Sequence, residues 1–136
     1  MTNLTHNAVL VIARVLLGLI FVMAGLGKTA DVAGFSGYMA SGGIPEFLAW
    51  PVILFEIVLG VTLIIGLQLR ASAVLLAAFC IVAGALYHFD PANQMQMTQF
   101  LKNLAMAGGY VALALTGAGA WSVDALLGNR GQTANA

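Results

Sequence analysis

The sequence predicts an all-α membrane protein: a four-transmembrane-helix bundle with a short interfacial helix between helices 1 and 2. Three observations carry this. Hydrophobic residues make up 61% of the 136 positions and charged residues only 7%, whereas a soluble domain carries roughly 25% charged residues to cover its surface. The mean hydropathy is +0.97. The apolar residues gather in four long continuous stretches, so the backbone must satisfy itself in helices rather than in the short alternating strands of a barrel. The same composition excludes an ordinary soluble enzyme, a disordered chain and a nucleic-acid binder. Net charge is zero and Cys80 stands alone, which leaves no internal disulfide and no CxxC redox centre.

The spans are expected at about 8–27, 47–67, 71–89 and 100–121, in one domain covering 1–128 with a flexible tail at 129–136. Val9 to Leu26 carries one charge, Arg14; its charge lies inside the apolar run and no basic segment precedes it, unlike a signal peptide. The connection from Gly27 to Glu46 is long enough for an element of its own. Thr29 is the expected cap, Asp31 sits in the first turn, and Val32, Phe35, Tyr38 and Met39 share a face. Gly42, Gly43 and Pro45 end it. Phe47 to Leu67 carries one charge, Glu56. The turn Gln68 to Arg70 makes the second and third spans antiparallel neighbours. Pro91 breaks the stretch before the fourth span, in which Lys102 lies near the start. With four spans both termini share a side. Placing them in the cytoplasm puts Arg14, Arg70 and Arg130 inside and Lys28 and Lys102 outside, as the positive-inside rule favours.

Positions three and four apart share a helix face. That spacing links Arg14, Gly18, Phe21, Gly25 and Lys28 in the first span, and Glu56, Gly60 and Leu63 or Ile64 in the second. It links Ala73, Ala77, Cys80, Gly84 and His88 in the third, and Asn103, Ala107, Tyr110, Ala114 and Gly117, with Lys102 adjacent, in the fourth. Each span thus has a face of small and polar residues, which pack inward in a membrane bundle. Glu56 lies about 13 Å inside its span at 1.5 Å per residue. A carboxylate at that depth requires a partner or neutralisation. Lys28, Lys102, His88 and Asn103 lie toward the same side, so the expected cluster is Glu56 with Lys102 or Lys28, supported by Asn103 and His88. Arg14 leans the other way and is expected to snorkel to the cytoplasmic surface. A Glu–Lys pair can equally fix helix register. His88 reads either as an interfacial histidine or as a proton carrier, and Tyr110 either as a packed residue or as a ligand contact. Gly27-Lys28-Thr29 is not a phosphate loop, because Val22 stands where its first glycine is needed. The loop with His88, Met95 and Met97 lacks tight ligand spacing, and no metal site is read.

The order Arg14, Gly18, Gly25-x-x-Lys28, Gly43-x-Pro45, Glu56-x-x-x-Gly60, Gly66, Lys102-Asn103, Gly108 and Gly117-x-Gly119 resembles the DoxX family, over roughly Ala8 to Leu127. The resemblance implies a multi-pass protein of the bacterial inner membrane, similar to the short members of that family. It also implies an accessory component of a quinone-linked redox system, with a functional cluster among Arg14, Lys28, Glu56, Lys102 and Asn103. The chain supplies no haem, nucleotide or cysteine-pair motif, so redox chemistry would need a partner protein or a bound quinone. A carbonyl-bearing apolar ligand could then meet Lys102, Asn103 or Tyr110, with Glu56 or His88 exchanging protons. Two other readings remain open at this point: a membrane scaffold or assembly factor, and a small proton-coupled carrier built on Glu56. Gly18, Gly25 and Gly60 could also serve a homodimer.

Overall fold

The computed structural model describes residues 3–133; of the segment expected as a tail, residues 134–136 lie outside it. The secondary structure of the described residues is all helical, without strands: α1 (Asn3–Lys28), α2 (Val32–Ser41), α3 (Ala49–Ile65), α4 (Leu69–Tyr87), α5 (Gln94–Thr116) and α6 (Val123–Thr133), with a single 3-10 turn at Glu46–Leu48 before α3. Three segments are long and apolar enough to cross a membrane: Asn3–Lys28, Glu46–Ile65 and Leu69–Tyr87. The expected fourth span corresponds to α5, which is not among them. Its first ten residues include Gln94, Gln96, Gln99, Lys102 and Asn103, which lower its hydropathy.

Local chemistry sets the boundaries. The α2 cap is Asp31 rather than Thr29: its carboxylate accepts from Gly34 N at 2.8 Å. Thr29 instead closes α1, donating its hydroxyl to Leu26 O at 2.6 Å. The Asn93 side chain accepts from the amides of Met95 and Gln96, which starts α5 six residues ahead of Phe100. Gly117, at φ +81°, stops it. Asp124 of α6 caps α4 from a distance, accepting from Gln68 N at 2.8 Å and Leu69 N at 3.0 Å.

The long helices pack as two antiparallel pairs, α1 with α3 and α4 with α5. The first pair is built on close backbone approach. A Cβ on Gly18 would stand 2.6 Å from Gly60 O, and one on Gly25 would stand 2.6 Å from Ile57 Cγ1. The glycines available to a dimer are therefore used within the chain. Thr62 and Ser72 hydroxyls, 2.9 Å apart, tie α3 to α4. The Tyr110 hydroxyl donates to Leu17 O at 2.8 Å and ties α5 to α1. The core runs through Leu10, Phe21, Leu63, Leu76, Cys80 and Tyr110. Large apolar side chains such as Ile12, Leu16, Met23, Val74 and Leu115 point outward and are more than half exposed, the inverse of a soluble surface.

Candidate functional site

A cavity of about 430 Å³ opens where α1 and α4 end and α3 and α5 begin. Its floor is aromatic. Phe21 and Phe79 meet edge to face at 5.6 Å, and Phe55 and Tyr110 extend the cluster to either side. Ile20, Val52, Val82, Leu86 and Met106 form apolar walls. Helix α2 closes the end with Phe35, Tyr38 and Met39. It is held there by Tyr87, whose hydroxyl donates to Met39 O at 2.9 Å and whose ring stacks on Tyr38 at 4.7 Å. Burial, with Tyr87 adjoining, raises the Tyr38 phenol above its usual range, so at neutral pH it is an uncharged hydroxyl.

The polar groups are concentrated on one side. Lys28 Nζ donates to both oxygens of Glu56, at 2.7 and 3.0 Å. The Glu56 side chain is 4% exposed and that of Lys28 24%. Lys28 also lies 5.2 Å from the Phe35 ring centroid, a cation–π distance linking α1 to α2. This pair is one of the two partnerships expected for Glu56; the other candidate, Lys102, stands elsewhere on the same cavity lining without a hydrogen bond or ion pair among the described residues. Asn103 lines the cavity as well and donates one amide N–H to Gln99 O, within its own helix. His88 sits at the rim with Nδ1 2.8 Å from Gln96 Oε1.

Two of the candidate residues lie elsewhere. Tyr110 is fully buried beneath the floor and spends its hydroxyl on Leu17 O. Arg14 occupies the opposite end of the molecule. Rather than snorkelling outward, it is 2% exposed. Its Nη atoms donate to Ala118 O and Trp121 O, each at 2.6 Å. The Gly117 and Gly119 turns, at φ +81° and +76°, leave those carbonyls free to accept. The sequence reading missed Tyr87, Gln99 and the aromatic floor. Tyr87 and Gln99 lie at helix ends, where periodicity carries little signal, and Phe79 falls outside the small-residue stripe.

The DoxX family model matches residues 9–89, more than half of the chain. The chain belongs to the DoxX family. The matched part of this DoxX protein holds α1 to α4 and the Lys28–Glu56 pair, and ends before Lys102. Full-length relatives extend the similarity over α5. Inner membrane protein YqjF of Escherichia coli is 37% identical over 88% of this chain and 92% of its own length. Inner membrane protein YphA of the same organism is 32% identical over 85% and 87%. CatD of Bacillus subtilis, whose name contains the word oxidoreductase, is 36% identical over about half of each chain, 47% and 48%. No solved structure gives a significant match.

Proposed function

We propose that this DoxX protein is an integral component of the bacterial inner membrane that serves a redox system by holding a quinone-like ligand in the cavity beneath α2. In this reading α5 is the fourth span of a bundle, α2 lies at the membrane interface, and both termini are cytoplasmic. The names of YqjF and YphA support the location, and the name of CatD is in keeping with a redox setting. The observation that carries the reading is the cavity's division into an aromatic, apolar interior and a polar side. A ring carrying carbonyl oxygens requires that division. Its body would lie on Phe21 and Phe79. Its oxygens would accept from Lys102 and from the second N–H of Asn103. The Lys28–Glu56 pair would hold α1 and α3 in place behind it. Electrons would come from a redox partner protein or travel with the quinone.

The test is native mass spectrometry of the protein extracted in mild detergent. The expected result is a reproducible adduct of quinone mass, lost in Lys102→Ala. A wild-type protein that carries only a partner polypeptide, and takes up no added quinone, overturns the ligand reading in favour of a scaffold. Reporter fusions at the C-terminus test the four-span arrangement. A fluorescent protein fused there should mature in the cytoplasm, and alkaline phosphatase fused there should be inactive.

A further inference from the structure

The charge of the cavity lining does not balance. Its acidic group, Glu56, is taken up by Lys28, which places an ammonium hydrogen against each carboxylate oxygen. That pair is neutral as a unit. Lys102 faces the same space with no carboxylate beside it: Asp31 is committed to capping α2, Asp90 accepts from Ala92 N in the following turn, and none of Asp31, Glu46 and Asp90 lines the cavity. Among the described residues the lining therefore holds one cation in excess, next to walls of phenyl rings and aliphatic chains. Lys102 is itself exposed at the cavity's edge, and an anion seated between it and these apolar walls would displace water there, where attraction strengthens as the local dielectric falls. A neutral carbonyl can accept one hydrogen bond from Lys102 but leaves the charge uncompensated.

Building on the ligand-binding reading above, we infer that the occupant is an amphiphile with a single negative charge on its polar end, seated against Lys102. Two kinds of molecule share that chemistry. One is a quinone bearing an ionised ring hydroxyl, and the other is an alkyl carboxylate. The aromatic floor favours the first, since a flat ring can stack on Phe21 and Phe79 where a flexible chain cannot.

The experiment uses the full chain in a neutral maltoside detergent and two matched pairs of probes. The first pair is 2-hydroxy-1,4-naphthoquinone, an anion at neutral pH, against 2-methyl-1,4-naphthoquinone, which has no ionisable group. The second is dodecanoate against its methyl ester. Occupancy is read by native mass spectrometry at equal probe concentrations. In the wild type the anionic naphthoquinone should bind about tenfold more tightly than its neutral partner and more tightly than dodecanoate. Lys102→Gln should abolish the preference and Lys102→Arg should keep it. Dodecanoate outbinding the anionic naphthoquinone, with the same dependence on Lys102, keeps the anionic seat and assigns it to a carboxylate. Equal binding of neutral and anionic naphthoquinone overturns the inference while leaving the ligand-binding reading intact. So does a preference that survives Lys102→Gln. Binding of neither quinone and of neither dodecanoate probe overturns both.

Discussion

Lys28 and Glu56 form an unequal partnership, and the inequality is measurable. Glu56 is nearly sealed, whereas about a quarter of the Lys28 side chain reaches the surface. Removing the lysine strands a carboxylate in the interior; removing the carboxylate leaves an ammonium that can swing outward on its flexible stem. Lys28→Ala should therefore destabilise the protein by about 3 kcal/mol and Glu56→Ala by less. The double replacement Lys28→Met with Glu56→Leu should recover much of the loss. Chemical denaturation in detergent, followed by circular dichroism, reads all three. Tyr110 makes the contrasting case. Its hydroxyl is not part of the cavity lining and serves the α1 contact, so Tyr110→Phe should cost about 1 kcal/mol and leave ligand occupancy unchanged. A drop in occupancy at wild-type stability would return Tyr110 to the site. Of the candidate residues, the position of Glu56 within an apolar run was readable from the chain itself. The choice between Lys28 and Lys102 was not, because both lie at suitable depth and only the crossing of α1 over α3 decides which ammonium arrives.

At the level of helices, the stripes read from three- and four-residue spacing coincide closely with the buried faces: Arg14, Gly18, Phe21 and Gly25 in α1, Glu56, Gly60 and Leu63 in α3, and Ala73, Ala77, Cys80 and Gly84 in α4. Inward faces were legible because small and polar residues have few other places in an apolar helix. Helix ends were less so. Asp31 rather than Thr29 caps α2, and Asn93 draws α5 forward, since several capping residues lie close together and the chain selects among them by geometry. The glycines separate into two kinds with opposite expected effects. Gly18→Ala would place a methyl group 2.5 Å from Ile64 Cγ1 and 2.6 Å from Gly60 O, and should cost about 2–3 kcal/mol by prising α1 from α3. A Cβ on Gly108 meets nothing within 4 Å, and Gly108→Ala should be neutral or stabilise by about 0.5–1 kcal/mol. Thermal melts of the two variants side by side test the close approach of the first helix pair directly.

Across the whole molecule the two ends differ in construction. One is closed by backbone acceptors around Arg14, by Asn7, whose side-chain oxygen accepts from Ala120 N, and by Asp124 at the head of α4. The other is hollow and covered by α2. Between them Cys80 is fully buried. A maleimide should leave the folded protein unlabelled and modify it completely in denaturant; rapid labelling of the native state would mean that α4 does not pack as described. The broad class was readable from composition alone, because ten charged residues cannot cover a soluble surface. The hollow end was not, since it arises where four helix termini and α2 meet, and no local pattern encodes a void.

The cover that α2 lays over the cavity has a consequence for how any occupant is supplied. With Phe35, Tyr38 and Met39 across that end and Tyr87 bonded to the α2 backbone, an oily molecule is expected to enter sideways between helices, out of the lipid itself, if α2 lies at the membrane interface as proposed. Its abundance in the bilayer then sets how fast the site fills, while occupancy at equilibrium follows a chemical potential that lipid and water share. At equilibrium a molecule that partitions about a thousandfold into lipid half-fills the site when its aqueous concentration is about a thousandfold below a dissociation constant expressed per volume of bilayer. Even a modest grip on each molecule would keep this DoxX protein loaded.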